Sequence, residues 1–358
     1  MIQMKVNLFI SAYIRSMISV PFVLCIISIN GLAQSSGDQL FASDKPLEIG
    51  LHIAIRDVAD TKKDSVYIHR KLYYSAEDGR NDSIEVSLKS RGNFRLQECH
   101  FPPLWLKFEK KAAKGTVFQG NKKLKLVLPC RSDAVGNQLI VKEFLCYKIY
   151  EQISGFAFRT RLVNVDFTEI RGKKEKHFQL KGILIEDVEK LADRLNAKTR
   201  EESRIHAMAL EDTNALRFSF FQLMIANTDL SSAYQHNTKL IQSKDGSFYS
   251  LPYDFDMSGL VDAPYAVVSQ VGGNDLGIDD VKQRLYRGWC RPNETTAFVR
   301  REFITKNELL LSRINLVKDE LPEKEMKSIR QYLEGFFEIM ESDGLFDRYV
   351  KSACRSAK

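Results

Sequence analysis

Asp229, Asn237 and Asp254 are three oxygen-bearing side chains in one short stretch, Ile225 to Asp256, whose geometry follows from its letters. Two strand-like runs, TKLIQS and SFYSLP, flank Lys244-Asp245-Gly246, and Asp-Gly between such runs is a strong hairpin signal. With Asp245 and Gly246 as the two turn residues, Lys244 opposes Ser247 and Asn237 opposes Asp254. Opposed side chains share one face at about 4.5–5.5 Å between Cβ atoms. The spacing therefore predicts an amide oxygen and a carboxylate converging at the hairpin mouth beside Asp229. Such a set suits phosphoryl transfer: one carboxylate orients an attacking hydroxyl and takes its proton, while the amide and the other carboxylate hold the ion that bridges nucleotide phosphates. Asp256, one pleat beyond Asp254, is a second candidate ligand, and hard oxygen donors suit Mg²⁺ or Mn²⁺. Phe255 alternates to the opposite face and belongs to the core. His236 is either a phosphate contact or, more simply, a hydrogen-bonded loop histidine.

The chemistry needs a cation on the phosphates and a carboxylate to steady it. Lys125 in KLKLVL and Lys107 in LWLKF both alternate out of phase with the leucines, so either can face a cleft. Glu143, in the helix expected over Gln138 to Ile153, can pair with either lysine; Lys125 leads more directly into that helix. Residues 46–130 read mostly as strands, punctuated by Asp78-Gly79, Pro102-Pro103 and Gly120-Asn121. Two more strands follow at Val163 to Ile170 and Phe178 to Ile185, then a polar helical stretch from Val188 to Leu195. From about Arg204 the pattern turns helical, interrupted by the hairpin, and two or three helices close the chain between Glu294 and Ser342.

Asn227-Thr228-Asp229, then His236-Asn237, a hairpin and Tyr253-Asp254-Phe255-Asp256 resemble the atypical kinases of the CotH (spore-coat kinase) family and, more distantly, the HipA-type kinases. The likeness continues upstream through Arg91-Gly92-Asn93, the basic strand Leu104 to Lys110, and Gly182-Ile183-Leu184-Ile185-Glu186, covering roughly residues 45 to 290. It implies an α+β, bilobal protein-kinase-like fold with an antiparallel β-rich N-lobe over residues 34–190 and a mainly helical C-lobe over residues 191–358. It also implies ATP with Mg²⁺ or Mn²⁺ as cofactors, and transfer to a hydroxyl of a protein Ser or Thr, or of a glycan, in the cell envelope. Arg91 and Asn93 would shape the phosphate-facing sheet. Glu186 and Asp187 end an apolar strand at the junction, where backbone groups can bind adenine, or their side chains simply begin the next helix, since acids suit a first turn. On the residues alone Arg91-Gly92-Asn93 is an ordinary turn, and no Walker motif occurs. The loop from Leu230 to Gln235 is longer than is usual in those kinases.

The first residues carry Lys5 and Arg15, then the apolar run MISVPFVLCIISI, then Gly31-Leu32-Ala33. This is the pattern of a leader over residues 1–33 cut near Ala33, with an apolar run too short for a comfortable span. Export to the periplasm or outside the cell follows, with no membrane span after cleavage. Loss of Lys5 and Arg15 lowers the formal charge from +7 to +5, a scattered excess that does not argue for nucleic acid. Five of the six cysteines remain, so at most two disulfides form, and Cys146 falls in an apolar helical pattern that suits the core. The rival reading is a non-catalytic exported binding or envelope-assembly protein, since nucleotide is scarce outside the cytoplasm.

Overall fold

The strands of the first half alternate buried and exposed residues, and the buried set meets in a single barrel interior. The structure, a computed structural model, describes residues 38–64, 66–76, 79–92, 94–200, 205–269 and 275–356. The expected leader and Asn93 lie outside them. Seven strands, β1 (Leu47–Ile53), β2 (Ile68–Ser75), β3 (Asn81–Ser90), β4 (Leu104–Phe108), β5 (Lys123–Val127), β6 (Thr160–Arg171) and β7 (Lys174–Glu186), close in the order β1-β2-β3-β4-β5-β7-β6. Leu51, Leu88, Leu106, Leu124 and Leu126 are each 0 % exposed within it, which is the period-2 pattern carried into a closed core. Helices α1 (Ile55–Asp64), α2 (Phe94–Glu98) and α3 (Lys110–Ala113) cross between strands; α1 lies where the pattern had suggested mostly strand.

The two-lobed kinase fold expected from the motifs is not what forms. The β-half is a closed mixed barrel, because β1 pairs antiparallel with β2 on one side and parallel with β6 on the other, from Leu47 opposite Val163 to Ile53 opposite Glu169. A closed ladder leaves no free edge. Nor do separate lobes exist: the residues from Asp38 onward form one compact unit. Val127, Leu162, Ile183 and Ile185, on the barrel wall, belong to the same core cluster as the helical residues Phe220, Phe303 and Phe336. The wall of the barrel is thus also the floor of the helical part.

That part begins with α4 (Ala134–Ile153), whose first turn is capped by the Asp133 carboxylate accepting from Gly136 N at 2.9 Å. Then come α5 (Val188–Arg194), β8 (Ala197–Thr199) and α6 (Asp212–Met224), and the hairpin β9 (Thr238–Ser243) and β10 (Phe248–Pro252), which with β8 makes a three-stranded sheet. Helices α7 (Asn293–Thr305), α8 (Asn307–Ser312), α9 (Glu323–Glu341) and α10 (Asp343–Phe346) close the chain. Two disulfides, Cys99–Cys130 and Cys290–Cys354, staple the unit, and Cys146 is a buried thiol. No helix among the described residues is long and apolar enough to cross a membrane.

Candidate functional site

The hairpin turns through three residues, not two. Ser243 N donates to Ser247 O at 3.0 Å and Gly246 N to Ser243 O at 3.1 Å, with Gly246 at φ +92°, the left-handed position of a three-residue loop. The ladder therefore shifts by one: Phe248 opposes Gln242, Pro252 opposes Thr238, and Tyr253 N donates to Asn237 O at 3.3 Å. The expected pairing of Asn237 with Asp254 is wrong in register. Both residues lie outside the strands in left-handed backbone, Asn237 at φ +47° and Asp254 at φ +66°, and the Asn237 amide goes to Asp229 while the Asp254 carboxylate goes to Lys125. Such residues break the strand alternation, at a cost the surroundings must offset. Phe255 provides part of that offset: it is 0 % exposed and packs on Tyr147 and Phe221 with ring centroids 4.6 and 5.3 Å away. Burying such a ring is worth about 1.5–3 kcal/mol, and it fixes the acids on either side.

Asp229 follows the end of α6 and is gripped by its own loop. Its backbone N donates to Asn227 Oδ1 at 3.0 Å, Asn237 Nδ2 donates to Asp229 O and Oδ2 at 2.8 Å each, and Ser269 Oγ donates to Oδ1 at 3.1 Å. His236 Nε2 lies 2.9 Å from Asp229 Oδ1. The long loop does not carry His236 and Asn237 away. Ser231 and His236 exchange backbone hydrogen bonds of 2.9 Å in both directions, so the intervening residues form a closed excursion and the chain returns to Asp229. Donating to Asp229, His236 has its pKa raised against the opposing effect of burial, and the Asp229 and Asp254 charges add to this.

Beside this loop lies a buried charge cluster built from both halves of the molecule. Lys125 Nζ reaches Asp254 Oδ1 at 3.3 Å; the lysine side chain is 5 % exposed and the aspartate 27 %, so the pair opens toward solvent on the acid side. Burial would raise the Asp254 carboxyl, but Lys125, Arg91 and Arg95 outweigh it and hold it down to about 2. Burial and then Arg91 lower the Lys125 ammonium to about 8, with Asp254 opposing. Arg95, from α2, stands between Asp256 (Nε to Oδ2, 3.6 Å) and Glu143 (Nη1 to Oε2, 3.9 Å). Burial pushes the Asp256 carboxyl up against the pull of Arg95, and Tyr265 Oη donates to its Oδ2 at 3.3 Å. Tyr147 Oη accepts from Asp254 N at 2.8 Å.

Glu143, expected to pair with a lysine, instead lies nearest Arg95. Both its carboxylate oxygens are buried without a hydrogen-bond partner among the described residues, and burial pushes its carboxyl up to about 8. Of the two candidate lysines only Lys125 is brought to the carboxylates. Trp105 opposes Lys125 and Lys107 opposes Lys123 across β4 and β5, and Lys107 ends exposed, over the Tyr67 ring at 5.7 Å. Arg91 stacks on Trp105 at 4.8 Å, where its charge reaches Lys125 and Asp254. Glu186 is committed elsewhere: Arg194 binds both its oxygens at 3.2 and 2.9 Å, and Arg159 N donates to it at 3.2 Å. It is a strut between β7 and α5, not a group turned to a ligand. Sequence reading missed Arg95, Tyr147 and Ser269. Arg95 sits four residues past Arg91 and four before Cys99, whose disulfide to Cys130 anchors α2, but nothing local marks it as buried.

Among the described residues no three His, Cys, Asp or Glu side chains cluster as a metal cage. The donor set is two carboxylates, Asp254 and Asp256, and the amide of Asn237, which is bonded to Asp229. Such a set fits an ion that keeps its waters and arrives with phosphates, as Mg²⁺ does, rather than one held by protein alone. Compared with known protein families and with curated proteins, the chain finds no match.

Proposed function

We propose that this protein transfers the γ-phosphoryl group of ATP to a hydroxyl, with Mg²⁺ or Mn²⁺, at the seam between the barrel wall and the Asp229 loop. The observation that carries the reading is the 3.3 Å pair of Lys125 with Asp254, made across 129 residues of sequence. The pair supports the reading because it joins a lysine suited to phosphate charge with a carboxylate suited to a metal ion, in the field of which His236 and its partner Asp229 stand. The motif likeness to CotH-type kinases supports the same chemistry, without the two-lobed fold that likeness implied. A divalent ion on Asp254, Asp256 and Asn237 would spread the negative charge of the phosphates. The chain's own groups do the rest. Asp229 accepts the acceptor's O–H proton as the new O–P bond forms, and the diphosphate leaves with the electrons of the broken P–O bond. Lys125, still largely protonated at neutral pH, and Arg91 meet the charge on the leaving group.

The two disulfides support export, since such bonds persist in oxidising compartments. A protein Ser or Thr of the envelope is the first acceptor to try, and a glycan hydroxyl the second. The test is incubation of the chain with labelled ATP and either ion, alone and with envelope extract, beside two variants. Asp254→Ala should lose metal-dependent nucleotide affinity together with turnover. Asp229→Ala should keep nucleotide binding while transfer falls by about 10²–10⁴-fold. Absence of nucleotide binding with either ion would overturn the proposal and leave the non-catalytic envelope-binding reading in its place.

A further inference from the structure

A cavity of about 380 Å³ opens behind the Asp229 loop, within the size range of small-molecule sites. Residues Ala215, Phe218, Ser219 and Gln222 line one side at helical spacing along α6. Leu230 to Tyr234, the long loop itself, forms another side, and Tyr286 to Trp289 and Arg355 complete it. Among the described residues its lining holds three arginines and no aspartate or glutamate. One of the three, Arg291, is spent on Asp212 at 2.6 Å and on backbone carbonyls. Arg287 donates to Thr228 O and lies in the field of Asp229. Arg355, over the Trp289 ring at 4.9 Å, donates to Arg287 O and has no carboxylate among the described groups acting on it. Deeper in, Gln222 is 4 % exposed and neither its amide oxygen nor its amide nitrogen has a partner among the described residues. A buried primary amide left unmatched is costly, and a ligand that bonds it removes that cost.

We infer that this cavity binds a small organic anion with a flat apolar body: Arg287 and Arg355 take the anion, Trp289, Tyr286 and Phe218 the body, and Gln222 a hydrogen-bonding edge. Burial lowers the pKa of both guanidinium groups, and for Arg355 the charge of Arg287 adds to it. A bound anion would relieve both effects. The Cys290–Cys354 disulfide serves this arrangement, since Arg355 N donates to Gly288 O and Cys290 N to Arg355 O, each at 3.0 Å, clamping the two arginine segments together. The inference concerns binding alone and needs neither nucleotide nor metal.

Calorimetric titration of the oxidised full chain tests it, with indole-3-acetate, its neutral analogue indole-3-acetamide and the cation tryptamine as probes. The anion should bind in the micromolar to low-millimolar range and about tenfold or more tighter than either analogue. Arg355→Gln, at the exposed rim, should erase that preference without disturbing folding. Gln222→Leu should weaken the anion by about tenfold as well; should that buried variant fail to fold, Arg355→Gln still decides. Equal affinity for the three probes, no heat with any of them, or an anion preference that survives Arg355→Gln would each overturn the inference.

Discussion

His236 and Glu143 carry proton equilibria that can be measured without knowing any substrate. The His236 pKa is raised above the ordinary 6.5 by Asp229. Folding therefore favours its protonated form, a contribution fully present below 6.5 and lost as pH rises through the higher folded value. Wild type should lose more stability between pH 6 and 8 than His236→Gln does in urea titrations; equal losses would mean the Asp229 contact is not charge-assisted. Glu143 is raised from 4.5 to about 8. The folded protein keeps a proton that the unfolded chain releases, so stability should fall as pH climbs from 4.5 toward 8. Glu143→Gln, already neutral, should flatten that slope and leave the melting temperature at pH 5 nearly unchanged. A destabilisation at pH 5 as large as that of Glu143→Ala would show that the carboxyl is ionised there after all.

The hairpin and α2 are the elements whose geometry sets the cluster. Gly246 sits at φ +92° with nothing within 4 Å of where a Cβ would stand, so a substitution there meets backbone strain and no clash. Gly246→Val should cost about 1–3 kcal/mol in urea unfolding, and by disturbing the turn it should also weaken metal-dependent nucleotide binding. A neutral substitution would argue for a different turn. The helix α2 is short, and the Cys99–Cys130 bond, across 31 residues, anchors the end of the segment that carries Arg95. Cys99→Ser with Cys130→Ser should cost about 2–4 kcal/mol. It should also raise the Asp254 carboxyl pKa, because Arg95 is one of the cations that hold it down; a carbon-detected NMR titration would read this directly.

Barrel and helices share one core cluster, through Val127, Leu162, Ile183 and Ile185, so exposing one side exposes the other. The two tryptophans report separately on these halves, Trp105 on β4 and Trp289 near the C-terminal disulfide. In urea, the single-tryptophan variants Trp105→Phe and Trp289→Phe should unfold with coincident fluorescence midpoints. Two separated transitions would mean independent domains and would reopen a two-lobed description.

Local pattern was enough to place the strands that line the barrel, the helix that carries Glu143, the hairpin, Phe255 in the core and Asp229 just past a helix end. Each depends on neighbours a few residues apart, where period, turn chemistry and capping act. The loop length around Asp245-Gly246 was not decided locally, because the same dipeptide serves a two-residue and a three-residue turn, and one residue of difference moves every partner on the ladder. Barrel closure was equally out of reach, since Glu48 meets Asn164 across 116 residues and nothing in β1 alone says that it will find a parallel partner. The choice of Lys125 for Asp254 rather than Glu143, and the insertion of Arg95 between two acids, were decided only when the tertiary fold removed those charges from water. In that dry setting the nearest countercharge governs each group, and nearness is a property of the folded chain.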